Sequence, residues 1–246
     1  MTDVFPVLRV LGMLIMLFAL AMGVPLAVSW YAQDGVWQVY PLAMGVALLA
    51  GLSLLLSMRR YKRELQPRHG VMLVSLVWAL LPLFAAVPLM LACAQVGRPM
   101  SFTYAYFEAV SGLTTTGSTV LSNLDTLPVS VNVWRTFLQW IGGMGILILA
   151  VAILPLLGVG GAQLFKAEAA GPIKDTKLTP RMTETAKGLW GVYALFSVGC
   201  VLAYWGAVMA PLDALMHMFS TVSLGGLSSH DASFGHFQSP LLEGVA

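Results

Sequence analysis

Charge is what this sequence has least of. Of its 246 residues, 13 are Lys or Arg and 11 are Asp or Glu, so 10% are charged, against about 25% in a soluble domain. That shortage excludes an ordinary water-soluble globule, and a hydrophobic share of 58% excludes a disordered chain. Cysteine is nearly absent: Cys93 and Cys200 both lie in apolar runs, where a thiol behaves as a small hydrophobe. Two isolated cysteines define neither a disulfide framework nor a zinc site. A net charge of +2, with bases not interleaved with aromatics, excludes a nucleic-acid surface. No Ser/His/Asp or Cys/His constellation occurs at a credible spacing, so the sequence does not read as an enzyme.

What is present is a set of long uncharged runs. Positions 10–33, 35–58, 70–97, 136–165 and 188–212 carry no Asp, Glu, Lys or Arg. About 20 apolar residues are enough to cross roughly 30 Å of hydrocarbon as a helix, so five spans are expected. The apolar stretch Val10 to Trp30 exceeds the roughly 7 to 15 residues of a signal-peptide core, and a second run follows at once. It reads as a retained membrane helix.

Alternating five spans puts 11 of the 13 bases on one side: Arg9, five between the second and third runs, and five between the fourth and fifth. Basic loops stay cytoplasmic, which places the N-terminus there. The opposite side holds Arg98 and Arg135 beside Asp34, Glu108, Asp125, Asp213, Asp231 and Glu243. An acidic outer face attracts cations.

Two semi-polar stretches, Ser101–Ser118 and Asp213–Ser228, are too short to cross as ordinary helices, and each reads as a short helix that breaks in a small-residue loop. Irregular backbone at membrane depth is tolerated where protein buries it or where it lines a watery cavity, so both are re-entrant loop candidates. An offset of 109 positions superposes them: Glu108 on His217, Val110 on Phe219, Ser111 on Ser220, Thr114 on Ser223 and Gly117 on Gly226. Paired broken segments in an internal repeat point to a transport site. Thr114, Thr115, Thr116 and Gly117 in the first loop and Ser223, Leu224, Gly225 and Gly226 in the second carry little side-chain bulk at the turn. Glycine there accepts positive φ, so successive carbonyls can face one axis, the arrangement that replaces the hydration shell of potassium. A helix-packing patch of small residues is the competing reading.

These residues resemble the superfamily of Trk, Ktr and HKT potassium transporters, and within it the TrkH type. The resemblance is carried by Ser111-Gly-Leu-Thr-Thr-Thr-Gly-Ser118, by Trp134-Arg-Thr-Phe-Leu-Gln-Trp-Ile-Gly-Gly-Met-Gly-Ile146, by Lys177-Leu-Thr-Pro-Arg-Met-Thr-Glu-Thr-Ala-Lys187, and by Ser223-Leu-Gly-Gly-Leu-Ser-Ser-His-Asp-Ala-Ser-Phe-Gly235. It implies four membrane-loop-membrane units around one pore, each supplying a quarter of a selectivity filter. By that resemblance potassium is held by backbone oxygens, chiefly of Thr115, Thr116, Leu224 and Gly225, with no other cofactor. It also implies a TrkA-type cytoplasmic nucleotide-binding subunit docking on the basic loop, a homodimer, and residence in the bacterial inner membrane. Only two of four quarters are present, so the chain is expected to be the N-terminal half of a longer one or one piece of a split transporter.

The fold class expected is therefore an all-α integral membrane protein built of repeated membrane helix, re-entrant pore loop, membrane helix units, truncated within the second unit. Its divisions are a two-helix hairpin over 1–69, a first unit over 70–159, a cytoplasmic basic loop over 160–187 and an incomplete second unit over 188–246. The function expected is potassium uptake; a non-transporting membrane scaffold or sensor shares the spans but needs no filter. Glu108 can serve as a cation-concentrating acid, cap a helix or pair with Arg135. His217, His230, Asp231 and His236 fit no standard zinc spacing and read as interfacial polar residues. Gly142, Gly143 and Gly145 read as positions of close helix approach.

Overall fold

The computed structural model describes residues 4–59, 67–153 and 178–245, and among them every regular element is helical. The helices are α1 Phe5–Ala21, α2 Gly23–Ala32, α3 Val39–Ser57, α4 Pro67–Gln95, α5 Phe102–Leu113, α6 Val129–Ile153, α7 Leu178–Gly206, α8 Pro211–Val222 and α9 Pro240–Val245. Two short 3₁₀ turns, Leu124–Thr126 and Ser233–Phe237, follow the two loops. Most of the basic loop over 160–187 lies outside the described residues.

Among the described residues, four stretches are long and apolar enough to cross a membrane: Phe5–Ala32, Val39–Ser57, His69–Gln95 and Glu184–Gly206. The protein thus presents large apolar side chains outward, among them Leu17, Leu49, Leu195 and Phe196, each at least 65% exposed. Lipid is the solvent for such a surface. The first span is not one straight helix. Pro25 has no N–H to return to the carbonyl of Ala21, four residues back, and α1 ends at Ala21 with Met22 bonded instead to the Ala19 carbonyl at 3.2 Å.

The fourth expected span differs from its charge-free run. Helix α6 begins at Val129, so Arg135 lies inside it rather than at its edge, and Arg135 is only 1% exposed. A charge can be buried there because it is paired, as shown below. The remainder of that run, from 154, lies outside the described residues.

Close backbone approach sets the packing of the N-terminal hairpin. A Cβ on Gly12 would lie 2.8 Å from the Gly51 carbonyl oxygen, and one on Gly51 would lie 2.7 Å from that of Gly12. Small residues at a helix crossing allow this contact in lipid. The hairpin is tied to α6 by Asp34, which accepts from Ser29 Oγ and, through its second oxygen, from Ser130 N at 3.0 Å. That places a carboxylate at the positive end of α6.

Helix α4 carries Pro82 and Pro88 in its interior. Each proline removes a donor and disturbs the preceding turn's carbonyls. In each case the carbonyl three residues back accepts from a side chain of α5 or α6: Ala79 O from Tyr106 Oη at 3.0 Å, and Ala85 O from Trp134 Nε1 at 3.1 Å. The turns before the two prolines of α4 therefore double as docking points for α5 and α6.

Helix α5 starts at Ser101, whose extended backbone and Oγ, accepting from Tyr104 N at 3.3 Å, form an N-cap. Ser101→Ala is expected to cost about 1 kcal/mol and to lower the thermal midpoint by roughly 2–4 °C. Thermal unfolding of the detergent-solubilised protein measures this; no shift would mean that the cap adds nothing to α5.

Candidate functional site

The two loops adopt one backbone path. In the first, Thr115 N donates to Gly112 O at 3.0 Å and Thr116 N to Ser111 O at 2.9 Å. In the second, Leu224 N donates to Thr221 O at 3.0 Å and Gly225 N to Ser220 O at 2.9 Å. Each donor and acceptor pair is related to its counterpart by 109 positions. Both are Schellman closures, in which the residue after the helix is left-handed. That residue is usually glycine, yet here it is Thr115 at φ 56° and Leu224 at φ 56°. A β-branched residue in this region is a true outlier, and strain of about 1–3 kcal/mol is characteristic of functional backbone. Two residues later the left-handed conformation returns, at Gly117 with φ 76° and Gly226 with φ 80°.

The loops also meet each other. A Cβ on Gly117 would overlap the Gly225 carbonyl oxygen. Thr114, Thr115 and Gly117 are half-buried and Thr116 is exposed; Ser223 and Gly225 are buried while Leu224 and Gly226 are exposed. All eight expected filter residues therefore lie in two adjoining segments.

Helix α6 holds both segments. Gly142 admits the end of α5, since a Cβ there would overlap the Leu113 carbonyl; Gly143 admits the end of α8, with Ser223 Cβ 3.0 Å from where its own Cβ would stand. The expected close approach is thus seen at Gly142 and Gly143. Gly145 differs, meeting only the Trp78 ring at 3.9 Å. One turn earlier, Gln139 is fully buried; its Oε1 accepts from Leu227 N at 3.2 Å, and its carboxamide fills the space beside Gly225.

Glu108 pairs with Arg135. Arg135 Nε donates to Glu108 Oε1 at 2.8 Å, and its second terminal nitrogen stands 2.8 Å from the same oxygen, both side chains being closed to solvent. The pair grips the chain just past each loop. Thr119 Oγ1 donates to Glu108 Oε1 at 2.7 Å and Val120 N to Oε2 at 3.1 Å. Arg135 reaches the second loop through Ser228 O at 3.4 Å. Asn132 does likewise, with Nδ2 donating to Leu124 O at 2.9 Å and Ser229 O at 3.4 Å.

The second loop repeats this with an imidazole. His217 Nε2 lies 3.1 Å from Ser228 Oγ, and Ser228 is the counterpart of Thr119. His217 Nδ1 lies 2.9 Å from the Asp213 carbonyl, which can only accept, so Nδ1 carries a hydrogen and donates it. His217 is 1% exposed, so the interfacial reading of this residue is corrected: it is a buried strut.

Sequence reasoning missed Asn132, Arg135 and Gln139 as a set. The available signal was their spacing of three, then four, which puts polar groups on one face of an otherwise apolar helix. It also missed Asp125, which is hydrogen-bonded to His230 across 105 positions; that bond holds the Asp125 carboxyl below the usual carboxylate range.

Helices long and apolar enough to cross a membrane, with two loops of matched backbone path meeting each other, define a polytopic helical membrane protein. The model of the TrkH family, described as a cation transport protein, matches residues 39–246. This chain belongs to the TrkH family. It is 50% identical over 96% of its length to the Trk system potassium uptake protein TrkH of Halomonas elongata, and 45% identical over 96% to that of Escherichia coli K12, covering 48% of each relative. The crystal structure of the potassium transporter TrkH from Vibrio parahaemolyticus matches with a TM-score of 0.85 at 40% identity, covering 98% of this chain and 47% of that one. The chain spans about half the length of the curated relatives it matches.

Proposed function

We propose that this chain supplies two of the four quarters of a potassium pore in the bacterial inner membrane. Potassium is coordinated by the backbone oxygens of Thr115, Thr116, Leu224 and Gly225, with Thr114, Gly117, Ser223 and Gly226 completing the two filter segments. The observation that carries this reading is the recurrence of left-handed backbone at residues 115 and 117 and again at 224 and 226. In an ordinary strand successive carbonyls alternate sides; left-handed residues at every second position bring them to one side, as a cation needs. The helices α5 and α8 also end at these segments, aiming their negative poles toward the ion.

The units of the pore are the 70–159 segment and the 188–246 segment, preceded by the 1–69 hairpin. The basic loop over 160–187 faces the cytoplasm, with the N-terminus, and takes a TrkA-type nucleotide-binding regulatory subunit; the full assembly is a homodimer. The pairing of Glu108 with Arg135 makes that acid a brace for the filter rather than a free cation trap.

The test is growth at low potassium, with rubidium uptake, in a bacterium lacking its own uptake systems and expressing the full-length protein that contains this chain. Rescue with saturable rubidium uptake is expected. Membrane insertion without rescue or uptake would replace this reading with the scaffold or sensor.

A further inference from the structure

Two imidazoles and a carboxylate converge on the loop face. Asp125 sits in the 3₁₀ turn after the first loop, His230 four residues past Gly226, and His236 in the second 3₁₀ turn. One ligand atom from each lies within 4.8 Å of the other two. Asp125 Oδ1 is bonded to His230 Nδ1 and stands 3.8 Å from His236 Nδ1. The two rings stack with centroids 3.6 Å apart and planes 5° from parallel, so both Nδ1 atoms face the same carboxylate.

The surroundings orient His230 before any ligand arrives. Among the described residues His230 Nε2 is closed off from solvent without a hydrogen bond, and Asp213 Oδ1 stands 3.3 Å from it. Asp213 is itself held by Ser229 Oγ at 2.9 Å. A carboxylate behind the far nitrogen of a histidine leaves the near nitrogen's lone pair free and orients the ring. The two loops are registered independently of the cluster, since Leu124 N donates to Asp231 Oδ2 at 2.9 Å.

We propose that Asp125, His230 and His236 form a three-ligand site for a zinc-like divalent transition cation that bridges the segments following the two loops. Two imidazoles and one carboxylate suit zinc, cobalt or nickel rather than magnesium or calcium, which take oxygen ligands. With metal–ligand distances of about 2.0–2.1 Å, tetrahedral ligand atoms stand roughly 3.3 Å apart. A metal lies in the plane of each imidazole it binds, so the parallel rings must swing apart on binding; the His236 side chain, 46% exposed and with Nδ1 3.8 Å from Asp125 Oδ1, has the freedom to do so. The fourth position is left to water.

The consequence for transport rests on the pore reading; the binding does not. A dication fixed beside the loops adds positive charge where potassium must approach, so bound metal slows uptake.

The experiment titrates Co²⁺ and Zn²⁺ into the purified, tag-free full-length protein, by visible absorption and by calorimetry. One equivalent with tetrahedral Co²⁺ bands is expected, displaced by Zn²⁺. Asp125→Asn and His236→Ala should each weaken binding about 10-fold or more, and Asp213→Asn, whose side chain faces the proposed ligands only at His230, about 10- to 100-fold. The triple variant Asp125→Asn, His230→Gln, His236→Ala serves as the zero, with its metal-free thermal midpoint as the folding control. Equal affinity and stoichiometry in a folded triple variant would overturn the proposal. Failure of the pore reading shows differently, as absent rubidium uptake in metal-free buffer.

Discussion

Gly117→Ala in the full-length protein is expected to abolish the preference for potassium over sodium, and Gly226→Ala to weaken it. Both glycines are left-handed, at φ 76° and 80°, and an L-residue there costs about 1–2 kcal/mol. Gly117 meets a second obstacle: its Cβ would overlap the Gly225 carbonyl oxygen, whereas none of the described residues comes within 4 Å of a Cβ on Gly226. Relief at 117 must therefore move Gly225, one of the proposed coordinating residues, so one substitution disturbs both segments. At 226 the strain of about 1–2 kcal/mol corresponds to a change of roughly 5- to 30-fold in a local equilibrium. Paired rubidium and sodium flux into proteoliposomes measures both effects. Unchanged selectivity in the two variants would remove the filter assignment.

Arg135→Ala should be the most destabilising single substitution outside the loops. It leaves Glu108 buried without a partner, and breaking such a pair costs about 3–5 kcal/mol. It also withdraws a donor from Thr119 and from the Ser228 carbonyl, loosening the exits of both loops together. Glu108→Gln with Arg135→Met removes both charges and should recover much of that loss, because an unpaired buried charge is worse than none. Thermal midpoints of the single and double variants decide the matter. A double variant no more stable than Arg135→Ala would mean that the charge pairing is not what holds this site.

The parts of this architecture that repeat were legible in the sequence, and the parts that join the repeats were not. Gaps between charges located the helices at 10–33, 35–58, 70–97 and 188–212 because desolvating a charge in hydrocarbon is costly. The 109-residue offset located both loops, since each needs small or left-handed-tolerant residues at the same place. The same rule misplaced the start of α6: Arg135 was taken as a boundary, but Glu108, 27 positions away, neutralises it inside the helix. The sequence offered pairing with Arg135 as one of three roles for Glu108, but no local pattern chose among them. The Asp125, His230 and His236 cluster escaped for the same reason, because its spacing in sequence matches no chelating motif and its geometry exists only once both loops are folded. The break at Met22 was readable from Pro25, a residue the hydropathy of the span conceals.

Gly142 and Gly143 are neighbours in sequence, yet one receives the end of α5 and the other the end of α8. Consecutive positions on a helix differ by 1.5 Å in height and by 100° in direction. The offset between the two loop segments is thus written into covalent geometry, with α6 acting as a ruler. Side-chain substitutions elsewhere can loosen that ruler's grip but cannot change its graduations. A single-residue insertion between Gly142 and Gly143 would, swinging one seat a further 100° around the axis while raising it by only 1.5 Å.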